Sequence, residues 1–509
     1  MKQPKSQLKT GIVLNYINMG LGNLIPIFYI PIMLSLLGQN EYGLYKLSSS
    51  ITSYLSLISM GIGSAVTRYL IKARIENGQE EEERVLGLFM VIFQIVAGIA
   101  LIVGIILTLN LQIWYGNSLT AAELSRMKII VFIMVCNTAL SFSQSPYYSV
   151  VSSHEKFVFL QSLNIVSTCI GPLLNLLMLF LGFASIGMAV ATFAVGVFCR
   201  TAYAVYMKRT LKIQPRYKNL PIGMLGEIWK FSFWVFVSNV VGQLYNATDV
   251  IMIGMVPGLA TTGVAVYNVG VTLSSIIGNI SVGISSLMAP STNRMVFQGA
   301  DGEKLTTLAI RVGRIQGYIA SLLISAFIVF GQPFICLYAG EGYEDSYWVA
   351  IWIACPAIIY LVQSVCLNIL IAENKHRFRS IMYLFIAILN VVGTWFLMKI
   401  WGVVGAAAMS GVATIIGQGF IMNWYYNRKT ILNIKRFWKE VFPVFVVPAG
   451  MAVIAVSMKK IVDFYYFPTF LLGVVVYSIT FFTLIWNLTM NEYEKSVVLR
   501  LLHKESAEV

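Results

Sequence analysis

Charged residues are scarce in this sequence. Asp, Glu, Lys and Arg make up 11% of the 509 residues, whereas 58% of the residues are hydrophobic. A soluble globular domain carries about 25% charged residues, so this composition excludes an ordinary soluble fold. The apolar residues form runs long enough to cross a hydrocarbon layer of about 30 Å, and a backbone in lipid satisfies its own hydrogen bonds as a helix. We therefore expect an all-α integral membrane protein.

Motifs for covalent chemistry are also missing. The six cysteines include no C-x-x-C pair, and neither they nor the three histidines have the spacing of metal ligands. No G-x-x-x-x-G-K-[ST] loop is present, which argues against ATP hydrolysis by that route. The longest polar segment has only about 20 residues, too few for a catalytic domain. These absences favour a protein that is not an enzyme and holds no resident cofactor.

Fourteen hydrophobic runs predict about 14 transmembrane helices. The first run is too long for the apolar region of a signal peptide, so we expect it to remain as the first span. The predicted spans are 11–37, 43–71, 85–109, 128–152, 157–182, 184–208, 229–255, 263–293, 308–330, 349–372, 380–400, 402–426, 441–458 and 468–490.

The distribution of charge predicts the orientation. The formal net charge is +14, and in this topology 30 of the 36 Lys and Arg lie on the side that holds the N-terminus. Since cytoplasmic loops are enriched in Lys and Arg, both termini are predicted to be cytoplasmic. The charge is thus a topology signal, and nucleic acid is not expected as a partner. The acidic run 80–83 lies in an inner loop and indicates a solvated helix start.

The first twelve spans look like two copies of a six-helix unit, offset by about 220 residues. Tyr45 corresponds to Tyr267, Gly61 to Gly283, Lys72 to Arg294 and Asn175 to Asn390. Parallel repeats of this kind enclose a cavity at the middle of the membrane. The predicted domains are an N-terminal lobe 1–208 (spans 1–6), a cytoplasmic linker 209–228, a C-terminal lobe 229–426 (spans 7–12), an extra helix pair 427–490 (spans 13–14) and a cytoplasmic tail 491–509.

Three stretches resemble a known family. They are the run 245–254 followed by 264–269, the outer turn 37–45, and Asn390 followed by Gly-x-x-Gly-Ala at 402–406. Together they are similar to the polysaccharide-exporter branch of the multidrug/oligosaccharidyl-lipid/polysaccharide exporter superfamily, which includes bacterial O-antigen and capsule-unit flippases. The resemblance implies a V-shaped pair of lobes with alternating access in the bacterial cytoplasmic membrane. It also implies an undecaprenyl-pyrophosphate-linked oligosaccharide as cargo, with membrane lipid and a polysaccharide polymerase or export machinery as partners.

Other functions stay open as alternatives. A lipid II flippase would be expected to carry arginines in its first span, whereas residues 11–37 contain no charge. An ion-coupled multidrug exporter usually has twelve spans, so the last two spans favour the polysaccharide branch. A membrane glycosyltransferase needs catalytic carboxylates on a sizeable outer loop, and the outer acids Glu341 and Asp345 lie in a short one.

Ionisable groups inside spans are costly and point to function. Asp249 is the only acid placed well inside a predicted span, and Tyr245 shares its helix face. An acid at this depth suits Na⁺ or H⁺ coupling. We hypothesise that Lys46 is its counter-charge and that the two close an outer gate. The alternatives are a hydrogen-bonded helix contact for Asp249 and snorkelling of Lys46 to the interface.

Two arginines are candidates for binding a pyrophosphate. Arg68 and Arg294 lie near the inner ends of matching spans, and guanidinium groups bind phosphates through paired hydrogen bonds. The alternative is ordinary cytoplasmic positive charge. The full set of candidate substrate-binding and lumen residues is Lys46, Arg68, Asn239, Gln243, Tyr245, Asp249, Tyr267, Asn268 and Arg294.

Overall fold

The secondary structure confirms the all-α membrane fold. The computed structural model describes residues 5–373, 376–459 and 461–503, and all elements in these ranges are helical. Two compact units divide the chain, one ending at Asn268 and the other beginning at Val269. The helices of the first unit are α1 Lys5–Ser53, α2 Ile62–Leu109, α3 Leu111–Tyr115, α4 Ala121–Ser153, α5 Phe157–Phe180, α6 Ala184–Tyr206, α7 Leu225–Asn246 and α8 Thr248–Met255.

Helix α9, Ala260–Phe297, contains the boundary between the units. The helices after it are α10 Gly302–Ala339, α11 Asp345–Val362, α12 Ser364–Ala372, α13 His376–Thr414, α14 Asn423–Lys429, α15 Ile434–Val441, α16 Pro443–Met458, α17 Phe467–Leu488 and α18 Glu492–His503. Because α7 and α8 pack with α1 and α2, they belong to the first compact unit. The predicted lobe boundary at 209–228 stays a prediction.

Eleven helical segments of the described residues are long and apolar enough to cross a membrane, whereas the sequence predicts about 14. Two of the eleven, Thr10–Ser59 and Phe378–Lys429, are 50 and 52 residues long. A straight helix of that length would extend about 75 Å, more than twice the hydrocarbon thickness. Non-helical backbone at Gly38 and at Trp401–Gly402 divides each segment into two of the predicted spans. The seventh predicted span, 229–255, is interrupted between α7 and α8 and is not among the eleven.

The main core of the first unit lies where α2 packs against α4. Phe89, Phe93 and Phe142 are buried there. A hydrogen bond of 2.8 Å from the Gln94 side chain to the Ser143 hydroxyl joins the same two helices. Since lipid is as apolar as these side chains, close packing and such polar links hold membrane helices together.

The acidic run 80–83 is only partly solvated. The expectation of a solvated helix start is wrong for Glu82 and Glu83, which are buried. Glu82 is fully buried, with its Oε1 2.9 Å from His154 Nε2 and 3.5 Å from the Arg74 guanidinium. Glu83 is also buried and accepts a 2.8 Å hydrogen bond from Arg216 Nε. The run therefore ties α2 to the end of α4 and to the segment that follows α6.

The bond between Glu83 and Arg216 recurs in the second unit. There Glu303, at the start of α10, pairs with Arg436 of α15, and both residues lie 220 positions after their counterparts. Arg436 also donates a 2.8 Å hydrogen bond from its Nε to Glu440. We call these two bonds the return ion pairs, because each fixes the segment leaving the sixth helix of a predicted repeat. Their equal spacing supports the predicted internal duplication.

A buried ion pair fixes the C-terminal helix in the second unit. Arg314 of α10 is 8% exposed, and its Nε donates to Glu494 of α18 at 2.5 Å. The same guanidinium donates to the Glu440 and Thr489 carbonyls at 2.6 and 2.8 Å, and to the Tyr318 hydroxyl at 2.8 Å. These contacts give Arg314 a structural role at the junction of α10, α15 and α18.

Candidate functional site

Two interrupted helices of the first unit meet through polar side chains. The second predicted span passes through a 3₁₀ turn, Tyr54–Ser59, between α1 and α2, and the seventh span is interrupted at Ala247. The Tyr54 hydroxyl lies 2.5 Å from the Thr248 hydroxyl and donates to the Gln243 carbonyl at 3.3 Å. Each interruption thus contributes one partner to the same contact.

The side-chain amide of Gln243 extends this contact along the 3₁₀ turn. Its Oε1 accepts a hydrogen bond from Ser53 Oγ at 3.1 Å, and its Nε2 donates to Ser56 Oγ at 3.2 Å. We call Ser53, Tyr54, Ser56, Gln243 and Thr248 the polar seam. Hydrogen bonds between membrane helices contribute about 0.6 kcal/mol on average and rarely more than about 1.7 kcal/mol. The polar seam is therefore specific in geometry but weak enough to open.

On the predicted outer side of the polar seam the helices touch backbone to backbone. A Cβ atom on Gly43 would lie 1.8 Å from the Thr261 carbonyl oxygen, so only glycine fits there. A Cβ atom on Gly254 of α8 would lie 2.7 Å from the Leu47 side chain. Ser118, after α3, adds a 2.8 Å hydrogen bond from its hydroxyl to the Gly254 carbonyl. The predicted outer ends of α8 and α9 are therefore closed against the second span.

The 3₁₀ turn ends in strained backbone. Met60 has φ 49° and Gly61 has φ 72°, both in the left-handed region. Methionine adopts that region at a cost of about 1–3 kcal/mol, so the surrounding structure must hold it there. A Cβ atom on Gly61 would lie 2.7 Å from Val235 Cγ1 of α7, which shows how closely α7 passes this interruption.

Asp249 is buried rather than facing open space. It is 2% exposed, and the hydroxyl of Tyr267, itself buried, donates to its Oδ2 at 2.6 Å. The Lys46 ammonium instead lies 5.5 Å from the ring centroid of Tyr42. The hypothesised ion pair between Asp249 and Lys46 stays a prediction.

Most of the other candidate residues are more exposed to the surface than Asp249. Asn239 is exposed on α7, Tyr245 is partly buried, and Asn268 donates to the Val264 carbonyl at 2.9 Å within α9. Arg68 is exposed on α2, about two turns beyond Gly61. Arg294 is exposed near the end of α9 in the second unit. Of the nine candidates, Gln243 lies in the polar seam, and Asp249 and Tyr267 bond to each other directly beside it.

The sequence reasoning missed most of the polar seam. Ser53, Tyr54, Ser56 and Thr248 are absent from the candidate set, although the sequence holds a signal for them. Serines occur at positions 50, 53, 56 and 59, and a spacing of three is the period of a 3₁₀ helix rather than an α-helix. The structure places a 3₁₀ turn over most of this stretch.

Comparisons with known proteins agree with this architecture. The chain belongs to the polysaccharide biosynthesis protein family, whose sequence profile matches residues 8–291. It is 20% identical over 504 residues to the uncharacterized membrane protein EpsK of Bacillus subtilis (strain 168), covering 95% of this chain and 96% of that protein.

Solved structures share the fold at low identity. The lipid II flippase MurJ in its inward closed conformation matches with a TM-score of 0.73 and 15% identity, covering 94% of this chain and 98% of MurJ. A MATE family multidrug resistance transporter of the MOP superfamily, in its inward-facing conformation, matches with a TM-score of 0.67 and 14% identity, covering 84% of this chain and 99% of that one. These similarities confirm the predicted fold.

Proposed function

We propose that the protein carries a lipid-linked oligosaccharide on an undecaprenyl pyrophosphate carrier across the bacterial cytoplasmic membrane by alternating access. The product would serve assembly of a surface polysaccharide such as O-antigen or capsule. Membership of the polysaccharide biosynthesis protein family supports a sugar cargo, and the exporter fold supports transport. The positive-inside bias supports cytoplasmic termini, which makes the side of Arg68 the loading side.

One observation carries this proposal: Arg68 is exposed although it lies inside a predicted span. From Gly43 to Gly61 this span lies against α7, α8 and α9, whereas Arg68 further along α2 is exposed. An exposed guanidinium inside a predicted span is costly in lipid, so a polar environment or an anionic ligand is expected beside it. A pyrophosphate fits, because guanidinium groups bind phosphates through short, charge-assisted hydrogen bonds.

The test is reconstitution with a labelled polyprenyl-pyrophosphate sugar. Purified protein in proteoliposomes should move the labelled lipid from one leaflet to the other, measured by its accessibility to an added membrane-impermeant reagent. Arg68→Ala should slow this movement at least about tenfold, since charge-assisted hydrogen bonds contribute about 1.5–3 kcal/mol. Arg209→Ala, another exposed arginine on the predicted cytoplasmic side, serves as the matched control and should transport normally.

Two results would contradict the proposal. The first is movement of the labelled lipid at the same rate in protein-free vesicles. The second is ion-driven efflux of organic cations with no movement of the lipid-linked sugar, which would favour the multidrug alternative.

A further inference from the structure

We propose that the polar seam is the bond set that keeps the predicted outer gate shut, and that the two helix interruptions beside it are the hinges on which the gate opens. Tyr54 and Gln243 are its positioning residues, with Thr248 as the partner across the contact. This inference rests on the proposed transport function and assigns a step of it to residues outside the cargo site.

The depth of the polar seam fits a gate hinge. Tyr54 lies 11 residues inside the predicted outer end of its span at 43, and Gln243 lies 12 residues inside the outer end of its span at 255. At 1.5 Å per residue both lie about 17 Å from that surface, near the middle of a hydrocarbon layer of about 30 Å. Two helices that are interrupted at the same depth can bend together there.

The closest contacts on the predicted outer side of the polar seam are steric. Gly43 meets the Thr261 backbone, and Gly254 meets the Leu47 side chain. Two side-chain hydrogen bonds accompany them: Thr261 donates to Asn40 Oδ1 at 3.4 Å, and Ser118 donates to the Gly254 carbonyl at 2.8 Å. At the base of these contacts the hydroxyl of Tyr54 and the amide of Gln243 supply further directional bonds. Bending at the two interruptions therefore has to break the polar seam.

The strained backbone at the end of the 3₁₀ turn points to a mechanical role. The second span accepts Met60 in the left-handed region directly after this turn. Such strain persists only where the surrounding structure holds it, and hinges absorb backbone rotation at a few residues.

The test measures opening with a buried reporter thiol. Leu47 is fully buried against α8, so L47C in a background with the six native cysteines replaced by alanine should react slowly with a membrane-impermeant maleimide added outside cells. Tyr54→Phe removes the hydroxyl from two contacts and should speed labelling about three- to tenfold. Thr248→Val should also speed labelling. The double variant should add little, because both single variants already remove the bond between Tyr54 and Thr248.

Tyr45→Phe is the matched control. Tyr45 lies on α1, in the same predicted span as Tyr54. Its hydroxyl contacts the Thr192 hydroxyl of α6, 3.3 Å away, rather than a residue of the polar seam. If Tyr54→Phe and Thr248→Val label at the Tyr45→Phe rate while the wild type moves lipid-linked sugar, the gate inference is wrong and the transport function stands. If both seam variants label faster and the wild type moves no lipid-linked sugar, the gate stands and the proposed cargo is wrong.

Discussion

Removal of Arg314 tests how the C-terminal helix is held. Arg314→Met keeps an unbranched apolar stem but leaves the Glu494 carboxylate, 2% exposed, without its cation. Breaking a buried ion pair by deleting one partner costs about 3–5 kcal/mol, mostly because the remaining charge is buried and uncompensated. The Glu440 and Thr489 carbonyls also lose a donor. We expect a loss of about 3–5 kcal/mol in the free energy of unfolding, measured by SDS titration in mixed micelles.

Arg311 provides the control for this measurement. It lies on the same helix, is exposed, and contacts α18 only by placing its guanidinium 4.4 Å from the Tyr493 ring centroid. An exposed cation–π contact contributes about 0.5–1 kcal/mol, so Arg311→Met should cost no more than that. The double variant Arg314→Met/Glu494→Leu removes both charges and should be more stable than Arg314→Met alone. Equal losses for Arg314→Met and Arg311→Met would refute the burial argument.

Three further perturbations have expected outcomes. Gly43→Val places a side chain against the Thr261 carbonyl, so outer closure should fail and transport of lipid-linked sugar in proteoliposomes should fall at least about tenfold; normal transport would show that this contact opens freely. Glu82→Gln removes the charge that faces His154, and we expect a loss of about 1–3 kcal/mol of unfolding free energy with transport retained; an unchanged SDS midpoint would contradict the burial of this acid. Asp249→Asn keeps the shape and should abolish any dependence of transport on a Na⁺ or H⁺ gradient, whereas an unchanged gradient dependence would exclude this acid from coupling.

Hydropathy predicts the all-helical membrane fold well because it follows from the solvent, and the charge distribution adds a prediction of orientation. The bilayer sets the length of each span, and the positive-inside bias acts on each loop by itself, so neither depends on knowing which helices touch. The two longest helical segments follow the same rule. Gly38 of α1 and Gly402 of α13 have non-helical backbone and lie at junctions between predicted spans, where the chain has to turn.

Long-range partners explain what the sequence could not predict. Glu82 and Glu83 look like surface acids in a run of four, and their burial depends on His154 and Arg216, which lie 72 and 133 residues away. The rarity of acids in spans was enough to single out Asp249, but its partner depended on helix packing. The sequence suggests the Lys46 ammonium as the partner of Asp249, and the structure shows a hydrogen bond from the Tyr267 hydroxyl.

The return ion pairs bear on how the two halves of the chain can move. Glu83 bonds to Arg216 within one half and Glu303 to Arg436 within the other, so neither bond crosses from half to half. Each half therefore has its own return ion pair on the predicted cytoplasmic side. A transport cycle in which one half moves against the other would leave both return ion pairs intact. Its energy barrier would not include the cost of separating these four charges.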